Sequence, residues 1–260
     1  MEKISYSQLD VWNTCPHKYK LRYIDNVDKF SVTEFTAFGR AIHSAAEMIA
    51  KSDKSFDGVP HFNDEFFKEI KEVKESYAKE DKEIRKDLVL AMLEQGSILC
   101  KLIRPTLDSH FPNYEIFSVE ERLKVPIDGE DDVDFKGFVD LVIKDRNGRI
   151  IMIDWKSCSW GWDSKKRTDK MKAYQLVLYK HFFSKKHDIP PENIDVYFGL
   201  LKRTAKKDNT ELFKITSGSK RVKNALKLLS SAIYNIDSGF LIKNRTSCSR
   251  CDFYKTEYCK

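Results

Sequence analysis

No stretch of this 260-residue chain approaches the roughly 18 uninterrupted apolar residues that a membrane-spanning helix needs. The opening MEKISYSQLDVW has no apolar leader run. Nowhere is there a G-x-x-x-x-G-K-[ST] phosphate loop, so an ATP-driven motor is not expected within the chain. Internal repeats and low-complexity linkers are also missing, which favours one domain over two. Charged residues reach 33% with a mean hydropathy of -0.52, against a membrane protein. The 41% hydrophobic and 12% aromatic content is against wholesale disorder. The expectation is a soluble cytoplasmic protein with no membrane partner. Lysine and arginine number 46 against 40 aspartates and glutamates, a formal charge of +6. That excess is mild, and a solvated basic surface accounts for it as well as a nucleic-acid partner does.

The order of elements points to an α/β protein. SYSQLDVWNTCPHKYKLRYID reads as two short helices broken at Cys15-Pro16, with Pro16 at a first helical position. TAFGRAIHSAAEMIAK places Phe38, Ile42, Ala45, Ala46 and Ile49 at helical spacing. From Phe62 to about His110 further helices are expected, interrupted near Lys79–Lys86 and at Pro105. IFSVEERLKVPI, DFKGFVDLVIKD and RIIMIDWKS then read as strands, separated by turn signals at Asp128-Gly129 and Asn147-Gly148. A helix in KMKAYQLVLYKHFFSKK, strands in IDVYFGLLKR and LFKITS, and a helix in VKNALKLLSSAIYNI follow. The fold class is α/β, with a mixed central sheet flanked by helices, a helical N-terminal cap and a C-terminal cysteine cluster. Within one domain, 1–36 and 240–260 form the cysteine-bearing segment, 37–112 the helical region and 113–239 the core.

The densest chemistry lies in GFVDLVIKDRNGRIIMIDWKS. Asp140 interrupts an apolar strand, and Asp154 and Lys156 share one face near the end of the next. A hairpin at Asn147-Gly148 would bring the two strands together. Two carboxylates buried side by side need a cation, and hard oxygen ligands suit Mg²⁺ or Mn²⁺. Lys156 beside them could act on a water and a phosphate, the apparatus of metal-assisted phosphodiester hydrolysis. The competing account is an Asp–Lys pair closing a strand end. His43 by itself fits a core histidine, and Gln175 and Tyr179, four apart on one helix face, fit ordinary packing.

Taken in order, G-R-A-I-H, G-F-V-D, I-D-W-K-S and Q-L-V-L-Y resemble the RecB-like branch of the PD-(D/E)XK nuclease superfamily. That resemblance implies metal ligation by His43, Asp140, Asp154 and the main-chain carbonyl of Trp155. It implies that Lys156 is the catalytic lysine, with Gln175 and Tyr179 lining the site. Aspartate in place of glutamate at position 154 is an accepted variant of the pattern.

Six cysteines stand at 15, 100, 158, 248, 251 and 259, half of them in CSRCDFYKTEYCK at the end. A secreted scaffold would spread them. Cys15, Cys248, Cys251 and Cys259 are four thiols that can hold zinc or an iron–sulfur cluster. One cysteine before the nuclease motifs and three after resembles the iron–sulfur exonucleases, the CRISPR-associated adaptation exonucleases and the AddB-type nuclease domain, and implies a [4Fe–4S] cluster. The gap from Cys251 to Cys259 is longer than that pattern's usual one, and no proline follows Cys259. Cys100 is expected buried in a helix and Cys158 in a loop. SWGWDSKKR offers Trp160 and Trp162 for stacking and Lys165, Lys166 and Arg167 for phosphates, or else is a mobile solvated loop. The expected function is an exonuclease on single-stranded or end-exposed DNA, with a possible protein partner in repair, replication or spacer acquisition. The alternative is a non-catalytic DNA-binding or accessory subunit of a helicase–nuclease or integration complex.

Overall fold

The computed structural model describes residues 1–27, 32–79, 81–130 and 132–260. Six strands form one mixed sheet: β1 Lys3–Ser5, β2 Glu115–Pro126, β3 Asp134–Lys144, β4 Ile150–Cys158, β5 Ile194–Lys202 and β6 Thr210–Lys214. Strand β3 pairs antiparallel with β2 and β4; β4 pairs parallel with β5, and β5 antiparallel with β6. The predicted hairpin closes β3 onto β4. Asp145 Oδ1 accepts the Asn147 and Arg149 N–H groups, and Gly148 takes a φ of 81° that other residues rarely adopt.

One face of the sheet carries α7, Lys170–His187, and α8, Ser219–Asp237. There Phe135 stacks on Phe182 with ring centroids 4.2 Å apart. The opposite face is covered by α3, Glu34–Lys51, with α4, Gly58–Ala78, and α5, Lys86–His110, behind it. Phe38, Phe62 and Phe66 form the aromatic centre of that layer. Thr33 caps α3 reciprocally with Thr36, which explains why α3 begins where it does. The expected break between α4 and α5 is present, although residue 80 within it lies outside the described residues. The break expected at Pro105 is absent: α5 runs through it. The helix is held there by its packing, with Ile103 and Leu107 fully buried and Arg104 bonded to the carbonyls of Ile49, Ser52 and Asp53.

The N-terminal segment enters the sheet, which the sequence did not foretell. β1 lies parallel to β3, pairing Ser5 with Lys136. α1, Tyr6–Thr14, follows at once behind a capping box between Ser5 and Gln8. After Cys15 come α2, Pro16–Tyr19, and a π-helical turn, Lys20–Ile24.

Candidate active site

The site sits at a fork in the sheet. β2 occupies one edge of β3 along its whole length, so β1 and β4 must share the other. β1 pairs as far as Lys136, and β4 begins at Leu141, opposite Ile153. Residues 137–140 of β3 lie in the gap. Extending the register one step sets Asp140 opposite Asp154, where the ladder has just opened. The Trp155 N–H, freed from that ladder, donates to Asp140 Oδ2 at 2.7 Å. Trp155 itself is 2% exposed and lies flat on Gly199, where a Cβ would come within 2.3 Å of the ring. Only glycine at 199 lets β4 and β5 pair beside so large a side chain.

Asp154 is 2% exposed. Its Oδ1 accepts from Gln175 Nε2 at 2.8 Å, and its Oδ2 lies 2.6 Å from Lys156 Nζ without receiving a well-directed hydrogen bond. Gln175 Nε2 also reaches the Tyr179 hydroxyl at 3.4 Å. His43, from α3, brings Nδ1 to 3.4 Å from Asp140 Oδ2, and its ring reaches the Trp155 main chain. The predicted set therefore converges from four elements: α3, β3, β4 and α7.

The electrostatics follow from depth. His43 and Lys156 keep 31% and 32% of their side chains at solvent, yet the protein packed around them makes burial the largest influence on both. Burial pushes the His43 imidazole down to about 4 against the pull of Asp154, so it is neutral near pH 7 with a lone pair free. Burial, then the neighbouring Asp154, pushes Asp140 well above the usual carboxylate range. Burial would lower Lys156, but Asp154 and Asp140 outweigh it and keep the ammonium charged. Tyr179 is held protonated by burial, with Asp154 adding to the effect.

Two buried carboxylates facing one ammonium leave the cleft short of positive charge, and Asp154 Oδ2 lacks a directed donor. A neutral imidazole and hard oxygens are donors that suit Mg²⁺ or Mn²⁺. The chemistry of the residues fits a divalent cation. The cage is not closed, however. Among the described residues no group of three or more His, Cys, Asp and Glu side chains gathers closely enough to hold an ion. Asp140 is turned to the Trp155 N–H, and Asp154 to Gln175 and Lys156.

The lysine- and tryptophan-rich loop is split by the fold. Trp160 is 79% exposed. Trp162 is buried instead, packed on Phe198 and Phe213 with Lys166 Nζ 5.0 Å from its ring centre, so it presents no free face to a base. Arg167 is engaged by both Glu211 oxygens at 2.7 and 3.0 Å, and Lys165 is exposed, with no ion pair or ring contact among the described residues. Cys15, Cys248, Cys251 and Cys259 line a single pocket between α2 with its π-helical turn and the C-terminal segment that includes the 3₁₀ turn Arg245–Arg250. All four are free thiols, and Cys15 Sγ accepts the Asn244 N–H at 3.3 Å. Cys100 is buried in α5 as expected, its thiol pushed up to about 12. Cys158 closes β4 rather than lying in a loop, because the β4–β5 ladder continues to pair it with Lys202.

Two neighbours of the site escaped the sequence. Tyr6, buried at the start of α1, is close enough to Asp154 and Tyr179 to feel both. Glu120 lies opposite Asp140 in the extended β2–β3 register and has a φ of 52°, unusual inside a strand. Its carboxyl is pushed up by burial and by Glu47, which stands four residues after His43 on α3. Alternation along β2 would have shown Glu120 only if the partner strand and register had been known.

Gly137 explains how close α7 can come. A Cβ there would meet the Tyr179 ring at 2.7 Å.

No curated protein matches the chain. A solved structure described as the crystal structure of SSO0001 is similar at 15% identity and a TM-score of 0.42, covering 97% of this chain and 84% of that one. The profile of the PD-(D/E)XK nuclease superfamily matches residues 3–259. A match over nearly the whole sequence, on a mixed sheet flanked by helices, means that the chain belongs to the PD-(D/E)XK nuclease superfamily.

Proposed function

We propose that this nuclease is a Mg²⁺- or Mn²⁺-dependent deoxyribonuclease of the RecB-like branch, acting as an exonuclease on single-stranded or end-exposed DNA. The observation that carries the reading is Asp140 facing Asp154 at the sheet fork with Lys156 2.6 Å from Asp154. His43, Asp140, Asp154 and the Trp155 carbonyl would hold the ion, which supplies charge for the scissile phosphate and lowers the pKa of a bound water. Gln175 orients the Asp154 carboxylate, and Tyr179 backs Gln175. Lys156, kept charged by its two aspartates, is placed to hold an anionic phosphate oxygen and to guide the attacking water.

The four cysteines are proposed as ligands of a [4Fe–4S] cluster, with zinc the alternative. Their donor chemistry and their common pocket support a metal centre there, and binding would have to draw the thiols together, since among the described residues no three such groups stand close enough to hold an ion. Such a centre would tie residue 15 to the last thirteen positions and so hold α1 against the sheet. The chain is proposed to work as one unit, with the cysteine-bearing ends, the helical region and the catalytic core divided as the sequence suggests. Six free thiols suit a reducing compartment, and no helix among the described residues is long and apolar enough to cross a membrane.

Digestion of end-labelled linear and closed circular DNA, single- and double-stranded, with Mg²⁺ or Mn²⁺ tests the reading. Linear single strands should shorten from an end while circles persist, and Asp154→Ala should be inactive. Cleavage by Asp154→Ala at the wild-type rate would refute the site, and rapid cutting of circles would refute the exonuclease.

A further inference from the structure

The sheet face that α3 covers is bare at one end, and its side chains form an ordered approach to the site. In the first half of β3 the odd-numbered residues point toward α7: Phe135 packs on Phe182 and Tyr179, and Val139 lies in the same core layer. Alternation therefore turns Lys136 and Phe138 to the opposite face, the side from which α3 brings His43 to Asp140; beyond Val139 the strand changes face, and Asp154 and Lys156 reach the fork from the α7 side. The same holds across the strands. Arg122 stands directly opposite Phe138, and Lys124 opposite Lys136, while Ile4 is buried on the α7 side and leaves Lys3 on the bare side.

Phe138 is 43% exposed, with no helix over it. Arg122 and Lys3 are exposed, and among the described residues neither they nor Lys136 has a carboxylate within ion-pair distance. Lys124 is paired with Asp134 at 3.4 Å. Glu2, Asp132 and Asp134 line the same groove as Lys3, Arg122, Lys124 and Lys136. Along β3, Lys136 stands two residues nearer Asp140 than Asp134 does, and Arg122, opposite Phe138, two positions nearer again. From Lys136 to Asp140 is four residues of strand, about 13 Å.

We infer that Lys136, Arg122 and Phe138 form the track along which a single DNA strand reaches the open fork at Asp140, across which Asp154 stands. The inference rests on the nuclease reading and extends it by naming the path of the substrate. Cations at successive cross-strand positions match the phosphates of an extended strand, and the exposed phenyl ring offers a stacking face to one base without regard to sequence. An unpaired, solvated cation row is also what a mobile polyanion requires, because exchange of counterions for phosphates is then unopposed.

The test is fluorescence anisotropy of a single-stranded oligonucleotide in EDTA, so that cleavage does not intrude, over a series of salt concentrations. The variants are Arg122→Ala with Lys136→Ala, and Phe138→Ala, with Lys71→Ala and Lys74→Ala on α4 as a charge-matched control. Two lost phosphate contacts should lower the slope of log affinity against log salt by about 1.4, at about 0.7 each. Losing one stacked base should weaken binding at least about five-fold with little change in slope. Wild-type affinity and slope in both variants, an equal loss in the control, or no strand binding by the wild-type protein would each overturn the track. Failure of the nuclease reading shows separately, as absence of cleavage by wild-type protein in Mg²⁺ or Mn²⁺ while the track variants still lose binding.

Discussion

Replacing Asp140 by asparagine should make the metal-free protein more stable while abolishing cleavage. Directly opposed residues at an open antiparallel position place their Cβ atoms about 4.5–5.5 Å apart. Two carboxylate charges about 5 Å apart repel by about 3 kcal/mol at an effective dielectric constant of about 20. Lys156 lies against Asp154 and offsets a good part of this, leaving about 1–2 kcal/mol. Asparagine removes the charge but keeps an oxygen for the Trp155 N–H. For a domain of this size that gain corresponds to a rise in melting temperature of about 3–6 °C.

The pH dependence has a fixed sign. A carboxyl whose folded pKa lies above its unfolded value costs stability as pH rises through that interval, since the folded state holds the proton more tightly. The advantage of Asp140→Asn should therefore grow as pH rises above the ordinary value of 3.8 and vanish as pH falls toward it. Mg²⁺ or Mn²⁺ should reverse the ranking: an ion bound only to the folded state adds about 2.7 kcal/mol at a hundred times its dissociation constant, and the variant should lose most of that. Differential scanning fluorimetry in EDTA and in metal, across pH, reads all three effects. A melting temperature below wild type in EDTA, or an equal response of both proteins to metal, would refute the reasoning.

Lys156→Ala should retain Mn²⁺ binding by calorimetry yet lose turnover, whereas Asp154→Ala should lose both; equal loss of affinity in the two would remove the distinction between lysine and ligand. Glu34 is fully buried and takes bonds from Arg85 Nε, Nη2 and N–H and from the Tyr77 hydroxyl, which hold its carboxyl down to about 2. Glu34→Ala should cost about 2 kcal/mol in urea denaturation, less than a wholly buried pair because Arg85 is 57% exposed. That contribution is complete above pH 4.5 and disappears as pH falls to about 2, so the gap between wild type and variant should close there. Cys248→Ala, purified without oxygen, should lose the colour, iron and acid-labile sulfide expected of the wild type and melt earlier; stoichiometric zinc in a colourless wild type would replace the cluster by a zinc site.

The strands and their chemistry were legible in the chain because their signals are local. Alternation through G-F-V-D and I-D-W-K-S, with a turn at Asn147-Gly148, is enough to predict that Asp140 and Asp154 meet. A four-residue helical spacing is enough to place Gln175 and Tyr179 on one face. Cysteine clustering at the end was equally visible, and Cys100 could be assigned to a helix interior. What the chain alone could not decide depends on which segments are neighbours. The parallel pairing of β1 on β3, between residues some 130 apart, opens the fork and brings Tyr6 to the site, and three residues of strand carry no periodic signal to announce it. Whether a tryptophan stacks on DNA or packs in a core is likewise nonlocal: Trp160 and Trp162 stand two apart in the same polar loop, and only Phe198 and Phe213, from distant strands, bury the second. The helix through Pro105 persists because buried neighbours outweigh one missing hydrogen bond. The bare face bearing Arg122, Lys136 and Phe138 exists because α3 covers only one end of the sheet, and helix placement over a sheet is decided by tertiary packing.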